Sequence, residues 1–296
     1  MLRAPAAFLA AALFLATATT PESKSVLNAE RASPDDLELG GQLAGTPAGA
    51  TRYIRYKDLL RLPLETHIVD DDTNFPRGTR ITGVALDVLA SRFAKYPDET
   101  LIVAICDDKY RSNFPRDYRA AHHPLLVLRI NGKSRDGWPK SEYGGSLGPY
   151  LISHPFFKPS FKVLSHDDEP QIPFGVLRIE FRREPVVFGA ILPPGNPPPG
   201  SPIAQGFIIA SQDCFRCHNS GEEGGTMAGS SWQQLGTMAQ DNPRRFRAII
   251  RNPKSVSPNA KMPGQPGYDG ATLDALTAYF KPFAKAAPSS EKKANP

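Results

Sequence analysis

The chain is 296 residues long, 40% hydrophobic and 22% charged, with a mean hydropathy of -0.34. That length exceeds what one core ordinarily fills, so two domains with linkers are expected, and the composition excludes a disordered or membrane-embedded chain. The net charge of +5 concentrates toward the C-terminus, with 11 Lys/Arg against 7 Asp/Glu from residue 203 onward and 24 against 23 before it. Nothing alternates basic with aromatic residues, so no nucleic-acid partner is expected; the basic excess reads as a protein-docking face or as a solvated face without a partner.

Arg3 precedes an apolar run from Ala4 to Ala18 that ends in the small residues Ala16-Thr17-Ala18. This is the layout of a cleavable secretory signal peptide over residues 1–18, and the run is short for a bilayer span. An uncleaved anchor is the competing reading, and no later stretch is long and apolar enough to cross a membrane. Residues 19–48 mix Ser, Pro, Gly and charges without periodicity and read as a flexible lead-in.

Residues 49–190 alternate short apolar runs with Pro, Gly and Asp. Thr100–Ala104, Leu125–Ile130 and Val176–Phe181 are rich in Val, Ile and Leu and predict strands. Val84–Phe93 has apolar residues three and four apart and predicts a helix. Six of the ten residues from Pro193 to Pro202 are proline. A stretch so poor in amide donors predicts a semi-rigid linker over 191–202. Beyond it the pattern turns helical over Ile203–Asp213, Pro243–Ile250 and Ala271–Phe283, within a domain at 203–285 followed by a polar tail at 286–296.

Of three cysteines, two stand in Cys214-Phe215-Arg216-Cys217-His218, the attachment pattern for c-type haem. On one helical turn both thiols can reach the vinyl groups of a single porphyrin, and the next residue carries an imidazole to the iron. A zinc site would need a second ligand pair, which does not follow at suitable spacing. A redox dithiol would be expected ahead of a helix in a βαβ unit, which is absent.

The stretch from Pro202 to Phe283 resembles a monohaem class I cytochrome c domain. The resemblance rests on Gly206-Phe207 ahead of the Cys pair, on Arg247–Pro253, on Lys261-Met262-Pro263, and on Thr272–Phe280. It implies an all-α domain, Met262 as the second axial ligand beside His218, and a close helix crossing at Gly206 near Tyr279. Met227 and Met238 are rival ligands that lack the Met-Pro context. Paired His and Met ligands would leave no open coordination position, which favours outer-sphere electron transfer. Arg244, Arg245, Arg247, Arg251, Lys254 and Lys261 could steer an acidic redox partner.

Residues 50–185 more weakly resemble the molybdopterin-binding domain of the sulfite oxidase type, on Ile81–Leu89, Ala104–Tyr110 and Pro124–Gly132. The resemblance implies an α+β fold with a mixed sheet and makes Cys106 a candidate molybdenum ligand. Against this, Asp107 and Asp108 follow Cys106, where acidic groups oppose an anionic pterin, so the other reading is a buried strand-end thiol in a non-catalytic relative. His122-His123 and Asp70-Asp71-Asp72 read as a loop and a solvated turn rather than as metal sites. Gly144–Gly148 lacks the strand-to-helix context of a nucleotide loop.

These observations lead to an exported, periplasmic-type electron-transfer protein with one covalent haem c. The alternatives are a haem-containing molybdenum oxidoreductase and an N-terminal domain that only docks a partner.

Overall fold

The computed structural model describes residues 26–141 and 144–284. The expected signal peptide and polar tail lie outside them. Among the described residues, no helix is long and apolar enough to cross a membrane.

The N-terminal part runs β1 (Leu37–Gly41), β2 (Arg52–Ile54), α1 (Tyr56–Leu59), β3 (Glu65–Val69), β4 (Thr79–Ala85), α2 (Leu86–Phe93), β5 (Thr100–Cys106), β6 (Arg111–Phe114), α3 (Arg116–His122), β7 (Leu125–Ile130), β8 (Leu151–Ser153), the short pair β9 (Lys162–Val163) and β10 (His166–Asp167), β11 (Val176–Arg183) and α4 (Glu184–Gly189). One sheet has the order β2-β1-β11-β5-β6, parallel only between β1 and β11; a second is antiparallel in the order β3-β4-β7-β8. The three predicted strands fall within β5, β7 and β11. The predicted helix begins two residues late: Val84 and Ala85 still pair with Leu126 and Leu125 in the sheet, and α2 then buries Leu86, Leu89, Ala90 and Phe93 at helical spacing.

β1 falls inside the segment read as a flexible lead-in. Leu37 and Leu39 are fully buried, on one face of a strand enclosed by β2 and β11. Two alternating leucines are too short a signal to separate a strand from a loop.

The C-terminal part runs α5 (Pro202–Gln212), the ribbon β12 (Asn219–Ser220) and β13 (Glu223–Gly224), α6 (Trp232–Asp241), α7 (Pro243–Arg251), α8 (Pro253–Val256) and α9 (Gly270–Phe280). The main helix starts are written locally. Ser201 caps α5 ahead of Pro202, Ser231 and Gln234 form a reciprocal capping box on α6, and Asp269 accepts from Thr272 at the start of α9. α5 and α9 cross at Gly206, where a Cβ would collide with the Ala275 carbonyl and stand 2.6 Å from Tyr279 Cβ.

The expected fold class needs correction. The chain is α+β with mixed sheets, and these helices do not form a separate all-α domain. Their core of Phe215, Trp232, Leu276, Tyr279 and Phe280 also contains Leu101 and Val103 of β5 and Val187 and Ile191 around α4. The physical reason lies in β5. Ile102, Ala104 and Cys106 face the core between the two sheets, while Leu101 and Val103 face the helices, so both sides of the strand are covered. The ribbon binds the same sheet, with Glu223 paired to Arg182 and the Glu222 carbonyl accepting from Arg111 at 3.1 Å.

Candidate haem-attachment site

α5 ends at Gln212, and Cys214–Arg216 continue as a single tight turn. The amides of Cys217 and His218 both return to the Cys214 carbonyl, at 3.2 and 2.9 Å, so the three residues named by the motif share one turn. Both cysteines are free and half-buried. His218 is largely buried, and its Nδ1 lies 2.6 Å from the Ser230 carbonyl. A carbonyl can only accept, so Nδ1 carries the proton and the neutral ring keeps its lone pair on Nε2. Burial pushes the His218 pKa down, against the Ser230 hydrogen bond, which favours that neutral form.

Burial raises the Cys214 thiol strongly, and Asp213 and Cys217 add to it; Cys217 is pushed up to about 11, mainly by burial and against the pull of Arg216. Without a bound partner both thiols are therefore held in the protonated form. Among the described residues, Cys214, Cys217 and His218 do not converge on a common metal point. Two unbridged neutral thiols on one turn and an imidazole with Nε2 bare fit a covalently attached haem.

The segment after β13 holds the turn in place. Gly225 donates to the Phe215 carbonyl and Ala228 to the Cys217 carbonyl, both at 3.0 Å, and Thr226 donates to the Lys109 carbonyl at 3.2 Å. A Cβ on Gly225 would overlap the Arg216 carbonyl, so no other residue fits there. Met227 Sδ lies 3.9 Å from Cys217 Sγ, on the loop that also anchors His218. Met238 packs into the helical core. Met262 is half-buried in the loop between α8 and α9.

A polar network absent from the motif surrounds the turn. Arg216 reaches Asp213 at 2.9 Å, Glu169 at 3.3 Å and Tyr110 Oη at 3.4 Å, and donates to the Gln212 carbonyl. Gln212 accepts from His166 Nε2 at 2.5 Å and donates to Asp168, which also receives His122 at 2.7 Å. Tyr268 links His166 to Asp213. Sequence spacing carries no signal for these partners, which lie up to 106 residues apart.

Cys106 sits at the end of β5 with its side chain in the core between the sheets. Burial lifts its thiol well above the usual range, and Asp108 and Asp107 add to this. A molybdenum ligand must be a thiolate facing a cofactor cavity, so Cys106 and its two acidic neighbours do not fit a pterin-bound metal. His122 and His123 diverge: the first is buried against Asp168 and the second is exposed beside Glu65. Asp70, Asp71 and Asp72 accept from the amides of Gly78, Phe157 and Asn74 and do not converge.

No protein-family model matches the chain, and no curated protein matches it.

Proposed function

We propose that the protein is an exported single-electron carrier with one haem c, joined through Cys214 and Cys217 and ligated by His218. The observation that carries the reading is the His218 imidazole, oriented by the Ser230 carbonyl so that Nε2 is left bare beside two free thiols on the same turn. When bound, the haem supplies reversible one-electron chemistry. The protein supplies the attachment, a fixed tautomer, and a buried Arg216 that holds the turn against Asp213 and Glu169. Met262 is proposed as the sixth ligand, and Arg244, Arg245, Arg247, Arg251, Lys254 and Lys261 as a face for an acidic redox partner. The two-sheet part is proposed as a docking or sensing module, with no role for molybdenum at Cys106.

The test is expression of the full chain in cells able to mature c-type cytochromes. The expected product contains one iron per chain, no molybdenum, and a pigment that stays with the polypeptide on a denaturing gel. Replacing both Cys214 and Cys217 by Ala should release the pigment, and Met262→Ala should abolish the weak near-infrared sulfur-to-iron band. A colourless mature protein with both thiols open to alkylation overturns the proposal. Stoichiometric molybdenum that disappears in Cys106→Ser overturns the assignment of the N-terminal part.

A further inference from the structure

A cleft of about 1000 Å³ opens between α3, α4 and α5. Its size suits a small organic molecule. The walls are apolar and aromatic, with Phe188 and Phe207 beside three side chains left unusually exposed: Phe161 at 37%, Ile208 at 39% and Leu192 at 55%. Asp117 and Glu184 also line it, and among the described residues neither carboxylate has an ion-pair partner within 4 Å. Arg119 is the nearby cation, but its guanidinium is committed to Asp87 and to the carbonyls of Thr100 and Phe114.

That combination selects the charge of the occupant. An anion would meet two carboxylates. A neutral apolar molecule would strip water from them without replacing it, which costs free energy. A cation with an apolar body satisfies both walls, and the aromatic rings add a cation–π contribution. Burial and the neighbouring Asp117 raise the Glu184 carboxyl, against the more weakly acting Arg119, and a bound cation would relieve that repulsion.

We propose that this cleft binds a small organic ammonium compound, its hydrocarbon or aromatic body against Phe161, Phe188 and Phe207 and its charged nitrogen at Asp117 and Glu184. Gln212 lines the same cleft and hydrogen-bonds to Asp168 and His166, so an occupant touches the residue that leads into Asp213 and Cys214. The site does not depend on the haem reading, because its readout is binding alone.

The experiment is calorimetric titration of the full-length protein with 2-phenylethylammonium and octylammonium, and with 2-phenylethanol and phenylacetate as neutral and anionic counterparts. The expected result is saturable one-to-one binding of at least one ammonium compound, with the alcohol at least tenfold weaker and the acid not bound. Asp117→Asn combined with Glu184→Gln should weaken ammonium binding at least tenfold and leave the alcohol unchanged. In Gly189→Phe, where a new side chain enters open space on the cleft wall, binding should vanish while the thermal melt is kept. Equal binding of ammonium and alcohol, undiminished ammonium binding in the double variant, or no saturable binding of either ammonium compound overturns the proposal.

Discussion

The hydroxyl of Tyr268 stands 2.8 Å from Nδ1 of His166 and donates its proton to Asp213. The Gln212 amide nitrogen is committed to Asp168, so Nε2 of His166 donates to the Gln212 oxygen. His166 is thus held between Tyr268 and Gln212, close to the carboxylates of Asp213 and Glu169, both of which pair with Arg216. This joins the β9–β10 pair to the turn that bears the cysteines.

Tyr268→Phe removes both bonds at once and strands His166 and Asp213 in a region with little water. The expected loss is about 1–3 kcal/mol of unfolding free energy, read as a lower urea midpoint at unchanged slope. An unchanged midpoint would mean that water replaces the phenol.

Gly206 has no room for a methyl group against the Ala275 carbonyl and Tyr279. Gly206→Ala should force α5 and α9 apart and cost about 1–3 kcal/mol, although alanine is the better helix former. Thermal unfolding checks the sign: a variant more stable than the parent would contradict the crossing.

Two buried groups set opposing pH dependences. His154 is held at about 3, below its usual 6.5, chiefly by burial and further by His122. Between those values the unfolded chain binds the proton and the folded one does not, so this contribution lowers stability as pH falls. Asp72 is raised from 3.8 to about 6 by burial, so between those values the folded chain holds the extra proton and acidification favours it. His154→Gln should then gain about 2–3 kcal/mol relative to the parent at pH 4 and little at pH 7. Asp72→Asn should be more stable than the parent at pH 7 and lose that advantage by pH 4. Urea titrations at both pH values test the pair.

Cys106 should resist alkylation by iodoacetamide at pH 8 in the folded protein and react readily in urea, because its thiol is both buried and raised. Rapid labelling of the folded chain would place the sulfur in an accessible cavity instead.

Several features are legible in neighbouring residues because the physics behind them is local. The strands at Leu125–Ile130 and Val176–Phe181 follow from side-chain type, and the placing of Cys214, Cys217 and His218 on one turn follows from their spacing. The closeness of Gly206 and Tyr279 came through the resemblance rather than through any periodicity. The failures are those of partnership. Leu101 and Val103 gave no sign that helices more than a hundred residues later would cover them, and this produced the false expectation of a separate all-α domain. Nothing in the neighbouring residues marks Arg216 as buried beside Asp213, Glu169 and Tyr110, or brings Asp117 and Glu184 to one cleft.

The sequence by itself determined where the backbone turns, where the main helices begin and which residues offer sulfur and imidazole, since these depend on atoms a few residues apart. Only the tertiary structure decided which faces meet, which charges are left unpaired and which thiol is sealed in a core. Those outcomes are set by burial, and burial belongs to the packed chain rather than to any segment of it.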